Sequence, residues 1–464
     1  MANICKIGED LLEKVLSSLP PKTLMRFKCV AKWWYALINN PRFVDNQLSN
    51  CLHNNQSICI FLKRLVPHEN PNANETKPVF SMLTFCEYDG DGDGDGEHIY
   101  RFVLSRVEDI NVPLSMSEEE LSVVGHCHGI ICVATFADYG KVFLWNPAIQ
   151  EFKLLPSQKY LPDMMSLLEQ GIPYTPNSSR LISGMGFGYD PISKAYKAVN
   201  IMFSWSQTHA HTNYSVVIYP LRAEVYTLGT SEDSSCWREI KAYSLETETT
   251  FLWPESFQIY LKGVCYWLGI EQQKEFMDDE ETLHDQNEIR QVIVSFDMSG
   301  EVFDELVLPD ELLEANNCYI FPGLYMYLMV WNESSISLCG LRNNSNGIRC
   351  FGMWLMLMED GFGDCVWTKY VDFELTVNLS PMLMGLKACS WALAFSKSDH
   401  LLVVEFSGCT VCYNIRTKNR MSLPTIQTAT GYYDPLENPI CGREYNGPVY
   451  ANSIVSVLGG RQQA

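Results

Sequence analysis

From Gly8 to Phe43 the apolar residues fall at helical spacing in three short stripes, broken by proline and asparagine. Leu11, Leu12, Val15, Leu16 and Leu19 make the first stripe. Glu9 and Asp10 place negative charge in its first turn, where the helix dipole favours it. Pro20-Pro21 stops that helix and presets the start of the next. Leu24, Phe27 and Val30 form a second stripe, and Trp34, Leu37 and Ile38 a third, closed by Asn39-Asn40-Pro41. A few short helices in about forty residues bury too little surface to stand alone. Part of this apolar face is therefore expected to be reserved for a partner.

From residue 121 the period changes to that of short strands. Gly129-Ile-Ile-Cys-Val133 leads through a turn to Val142-Phe-Leu-Trp-Asn-Pro147, and a second turn to Glu151-Phe-Lys-Leu-Leu-Pro156. The same arrangement returns at 294–309 and 411–424: an aromatic-containing strand ends at Asn or Asp, a polar turn follows, and a second strand ends in Leu-Pro. Trp145, Phe296 and Tyr413 hold equivalent places in these copies. Looser copies lie at 186–201 and 225–240. Repeats of this size cannot bury their own faces and need neighbours, and radial closure is the common solution. The expected fold is mainly β, a small helical module followed by a large repeat domain. A β-propeller of roughly six to eight blades fits, with a β-sandwich as the alternative.

Composition narrows the function. Hydrophobic content of 47% with 12% aromatic residues describes a folded chain, and 464 residues suit a small module plus a large one. No stretch approaches the ~18–20 apolar residues of a membrane helix, so no membrane role is expected. Acids at positions 9 and 10 stand where the apolar core of a secretory signal would lie. The 17 cysteines, an odd number without a framework, read as reduced, mostly buried thiols of an intracellular chain. Residues 1–50 carry seven Lys/Arg and four Asp/Glu, while the remainder carries 27 and 51, a net of −24. That excess argues against nucleic acid and fits either a basic protein partner or plain solubility.

Candidate chemistry is sparse. The Asp89–Gly96 run resembles a calcium loop, but the glutamate position of an EF-hand falls on Tyr100 or Phe102. A solvated acidic loop is expected instead. Gly184-Met-Gly-Phe-Gly188 lacks the final glycine and the helix of a dinucleotide site. His126-Cys127-His128 and Cys409-x-x-Cys412 are single pairs without a second set at metal-site spacing. Asp278–Glu281 reads as a solvated insertion. No cofactor, metal or catalytic residue is assigned, and a non-catalytic binding protein is expected.

The run LPPKTLMRFKCVAKWWYALI, closed by NPRF, resembles the F-box, which docks on the Skp-type adaptor of cullin-RING (SCF) ubiquitin ligases. The resemblance implies that Leu11, Leu12, Leu16, Leu19, Pro20, Leu24, Phe27 and Trp34 serve the adaptor-facing or core surface. The chain departs from the family in having Ile7-Gly8 where a proline usually opens the motif, and Trp33 before Trp34. LWNPAIQEFKLLP, GFGYDPISKAYKAVNI and YLKGVCYWLG resemble the plant F-box-associated, kelch-like region. The phrases MRFKCVAKWWYALINNPRF, VSFDMSGEVFDELVLP and FGMWLMLMEDGFGDCVWTKY are most similar to the S-locus F-box proteins of self-incompatible plants. That resemblance implies a pollen-tube cytosol receptor, with the nucleus also open to it, that binds non-self S-RNases, basic ribonucleases, for ubiquitination; the alternatives are a plant F-box receptor for an unrelated protein target and a β-propeller enzyme. The implied organisation is an F-box module over 1–50, a connecting segment with the acidic loop over 51–120, a β-repeat domain over 121–430 and a tail over 431–464. Target contacts are expected in loops 157–180, 203–213 and 271–290.

Overall fold

The computed structural model describes residues 9–52, 57–67, 76–90, 99–113, 121–135, 141–158, 179–207, 215–229, 236–242, 245, 250–273, 289–309, 326–331, 335–343, 349–357, 366–374, 391–396, 400–404, 410–414, 420–422 and 450–458. Four helices open it: α1 Glu9–Ser17, α2 Pro21–Lys28, α3 Lys32–Ile38 and α4 Pro41–Leu52. An antiparallel three-stranded sheet follows, β1 Ser57–Pro67, β2 Thr76–Gly90 and β3 Ile99–Ile110.

Five four-stranded sheets come next, each an antiparallel meander in chain order. The first holds β4 Leu121–Cys127, β5 Ile130–Thr135, β6 Val142–Asn146 and β7 Glu151–Leu154. The second holds β8 Ser179–Asp190, β9 Ala195–Gln207, β10 Ser215–Leu228 and β11 Arg238–Ile240. In the third are β12 Thr250–Leu261, β13 Val264–Gln273, β14 Ile289–Asp297 and β15 Val302–Val307. The fourth is β16 Met326–Trp331, β17 Ser335–Asn343, β18 Arg349–Leu357 and β19 Val366–Glu374. The fifth is β20 Trp391–Ser396, β21 His400–Val404, β22 Thr410–Asn414 and β23 Arg420–Ser422.

This is a five-bladed β-propeller behind an N-terminal helical module, and the sandwich alternative falls. The blade number is lower than length alone implied. Residues 51–120 do not merely connect: Phe61 and Phe80 of the three-stranded sheet pack on Trp145 of the first blade. Its other side meets the fifth blade, where β1 lies beside β20. Polar stretches between these strands hid the sheet from a reading by repeats. The 91–98 part of the acidic loop lies outside the described residues.

The cores are layers between blades. Leu144, Phe187, Tyr226 and Trp237 fill the layer between the first and second blades, and Val199, Trp267, Val292 and Phe296 the next. Ile293, Leu338 and Trp354 continue the series. Trp145 and Phe296 are buried at matching places on β6 and β14. Tyr413 holds the same place on β22, with its side chain outside the described residues.

The recurring Asn or Asp at a strand end has a direct physical role. Asn146, Asp190 and Asp297 each accept a backbone N–H two residues on, from Ala148 at 3.0 Å, Ile192 at 2.8 Å and Ser299 at 2.8 Å. Four residues after each, Gln150, Lys194 and Glu301 take φ of 57°, 55° and 54°. The side-chain bond replaces a missing ladder bond, and the left-handed residue aims the chain into the returning strand.

Gly184-Met-Gly-Phe-Gly188 lies in β8 and serves packing. The Trp267 ring from the next blade lies against this backbone, and its Nε1–H donates to the Met185 carbonyl at 2.9 Å. A Cβ on Gly186 would stand 2.5 Å from that ring. Gly186→Ala should therefore destabilise the propeller by roughly 1–3 kcal/mol, the usual penalty for overpacking. A lowered urea midpoint with unchanged far-UV circular dichroism at zero denaturant is the expected result.

Candidate functional site

The helical module is built around Leu16, Leu24, Ile38 and Phe43, which are buried together. Pro20 precedes α2 with φ −59°, and Pro21 occupies the first helical turn, where its missing N–H goes unmissed. Phe27 meets Trp34 edge to face at 4.6 Å, and Trp33 lies 5.0 Å from Trp34. The Asn46 amide donates to Glu13 at 2.8 Å and that of Asn50 to the Ser17 hydroxyl at 2.9 Å, tying α4 to α1.

The structure divides the eight residues singled out from the sequence. Leu16 and Leu24 are core and cannot touch a partner. Leu12, Leu19, Phe27 and Trp34 are half-buried against that core. Leu11 and Pro20 are exposed. Sequence reasoning did not assign Val15, Val30, Trp33 or Tyr35 to the site. Yet with Leu11, and Leu52 at the end of α4, they are the module's large apolar side chains on solvent: Leu11 57%, Val15 53%, Val30 68%, Trp33 44%, Tyr35 51% and Leu52 40% exposed. One signal was present. The first stripe covers too wide an arc for one buried face, and Leu11 and Val15, four apart, form its outer edge.

Polar contacts join the module to the β domain. The Lys22 ammonium lies 2.6 Å from the Glu108 carboxylate on β3, which holds that acid below its usual range. Both groups are well exposed, so the pair contributes little. Between the second and third blades, by contrast, Lys197 is buried. It lies 2.9 Å from Asp190 and 3.0 Å from Glu301, and donates to the Met298 carbonyl at 2.6 Å. Burial pushes the Asp190 carboxyl up, but Lys197 and the Ser193 and Ser299 hydroxyls outweigh it and hold the group well below the carboxylate range. These charges are paired to each other across the blades and serve the fold.

The remaining motifs are structural in this setting. His128 leaves the strand and occupies a left-handed turn before Gly129, so it does not share a strand face with His126. Its Nδ1 lies 3.1 Å from the Tyr196 hydroxyl, and the Tyr189 and Tyr260 rings flank it. No group of three His, Cys, Asp or Glu with metal-binding placement occurs among the described residues. The described cysteines are free thiols, and burial pushes those of Cys127, Cys132 and Cys265 up. Residues 278–281 and Cys409 lie outside the described residues. So does most of loops 157–180, 203–213 and 271–290. The strand ends bounding the latter two, Gln207 with Ser215 and Gln273 with Ile289, stand at the end of their sheets away from the Asx turns.

The structure is thus a helical module with exposed apolar side chains, carried on a propeller. Residues 4–46 match the F-box domain, and residues 100–457 match the F-box associated beta propeller domain. The chain belongs to the F-box proteins with an F-box associated β-propeller domain. F-box/kelch-repeat protein At3g23880 of Arabidopsis thaliana is 26% identical over 65% of this chain and 65% of its own length, so this match spans just under two thirds of that relative. F-box protein At3g17710 of the same plant is 24% identical over 90% of each chain. A solved structure, YCF48 bound to D1 peptide, covers 82% of this chain and 89% of its own at 8% identity with a TM-score of 0.31. Among the described residues no helix is long and apolar enough to cross a membrane.

Two outcomes follow from the site geometry. Leu24→Ala should destabilise the helical module by about 2–5 kcal/mol, whereas Leu11→Ser or Val15→Ser should shift it by no more than about 0.5 kcal/mol; the helical signal at 222 nm through a urea titration separates them. Burial lowers His126 and His128 to about 4, against 6.5 in the unfolded chain. The unfolded state then binds more protons between those values. Stability should be flat above pH 6.5 and fall as pH drops from 6.5 to 4, by at most about 1.4 kcal/mol per pH unit for each ring. His128→Phe should flatten part of that slope.

Proposed function

We propose that this chain is the non-catalytic substrate-recognition subunit of an SCF-type cullin ubiquitin ligase. The apolar face made by Leu11, Val15, Val30, Trp33 and Tyr35 docks on a Skp-type adaptor, and the propeller holds the target. The observation that carries the reading is that these side chains stay on solvent while the same helices complete a core beneath them. A large exposed apolar patch on a folded module marks a protein interface. Such a receptor works in the cytosol or nucleus, where these ligases assemble.

The target is a basic protein, and by the resemblance of the whole chain a non-self S-RNase in the pollen tube. The net charge of −24 outside the first 50 residues supports a basic partner. Rejection of wrong targets falls to short-range contacts on the propeller, since long-range attraction discriminates poorly among basic proteins.

The full-length protein should co-elute with a plant Skp-type adaptor, and Leu11→Asp/Val15→Asp should abolish co-elution while the protein stays folded. Co-elution of the double variant would refute the docking face. Stopped-flow association with a panel of S-RNases should slow by roughly tenfold or more between low and physiological salt, with their ranking kept. A panel that fails to bind at any salt removes this target and leaves the receptor reading to stand on the adaptor result.

A further inference from the structure

We infer that residues 450–458 are a clasp that fixes the helical module's orientation on the propeller, through side chains and backbone groups divided between the two. The segment turns tightly at Asn452, where the Ser453 N–H donates to the Ala451 carbonyl at 2.9 Å, and beyond that turn its side chains divide between the two modules. Ile454 belongs to the buried cluster of the helical module, with Leu16, Leu24, Ile38 and Phe43. Its neighbour Val455, and Val457 after it, belong to the cluster between the first two blades. Ile454, Val455 and Val457 are all buried.

The backbone of this segment is read by side chains from both modules. On the helical side, Gln47 of α4 is fully buried. Its amide N–H donates to the Asn452 carbonyl at 3.2 Å, and its carbonyl accepts the Ile454 N–H at 3.1 Å. On the propeller side, the Asn146 amide donates to the Ser453 and Val455 carbonyls at 3.1 and 2.8 Å. The Ser453 hydroxyl donates to the His128 carbonyl at 2.5 Å, and Glu151 accepts from the Ser456 hydroxyl at 2.6 Å and the Val457 N–H at 3.2 Å. Tyr450 begins the segment by donating its N–H to the Cys59 carbonyl on β1 at 2.7 Å. A side chain at Gly129 would strike Ala451 and Ser453, so the turn and the segment are fitted to each other.

The alternatives for setting the orientation are weak. The chain passes from α4 to β1 through residues 53–56, and a join of that kind does not by itself set an angle. The Lys22–Glu108 pair is exposed. Val44 and Leu48 of α4 and Ile149 of the first blade pack along the seam, but the clasp fills it. Residues 450–458 therefore close the seam between the helical module and the first blade. The inference needs neither adaptor nor target, and so goes beyond the receptor reading.

Hydrogen exchange on the full chain alone tests it, with Gln47→Leu, which keeps volume but removes both backbone bonds, and with Ile454→Ala. In both variants the amides of α4 and of 450–458 should exchange faster together, by roughly tenfold or more. The strands of the first three blades should exchange as before, the helical signal should persist, and small-angle scattering should show a larger maximum dimension. Unchanged protection in α4, or an unchanged scattering profile, would overturn the clasp. So would loss of the helical signal in both variants, because the segment would then be part of the module's own core and not a link.

Discussion

The first three blades each have two apolar faces and no covering layer of their own, so each of these sheets depends on its neighbours for burial. That constraint organises the molecule. Trp267 reaches across to the glycine-bearing backbone of β8, Trp145 receives Phe61 and Phe80, and Trp354 fills the layer beyond β14. Large rings suit the task because they bridge the roughly 10 Å between packed sheets and still offer a polar edge. Trp267 uses that edge on the Met185 carbonyl, and Trp237 on that of Pro156 at 2.8 Å.

A ring of sheets also has to begin and end somewhere. Here the first sheet follows the helical module, and the last described segment returns between that module and the first blade. The buried polar side chains at this seam are hydrogen-bonded to its backbone. Gln47 and Asn146 are both fully buried, and each spends its amide on the backbone of 450–458. Paired amides make the seam specific, since removing either leaves backbone groups buried without partners. The helices consequently sit at the end of the blades that carries the Asx turns, and the 207–215 and 273–289 connections leave the other end.

The outer face of the helices follows from the same economy of burial. A module of four short helices has apolar residues enough for a core of Leu16, Leu24, Ile38 and Phe43, and a surplus that stays on solvent. The charge pattern divides likewise. Lys197, Asp190 and Glu301 are consumed in one buried cluster, while most of the acidic excess remains outside it.

Local periodicity was enough to read the first three helices, though not α4, along with the Asn- and Asp-terminated hairpins and the repeat of Trp145 with Phe296, because each depends on residues close in the chain. The Asx bond and the left-handed residue four positions later are short-range chemistry, written wherever the motif recurs. Closure, blade number and the sheet of 57–110 depended on contacts between distant segments, and interrupted strands gave periodicity little to register. The same limit explains the site. Spacing identified an apolar stripe over residues 11–30, but only packing against Phe43 and Ile454 decided that Leu24 turns inward and Val15 outward. Residues 450–458 show it most plainly. The apolar run of Ile454, Val455 and Val457 is visible in the sequence, yet only the two modules on either side divide it between them.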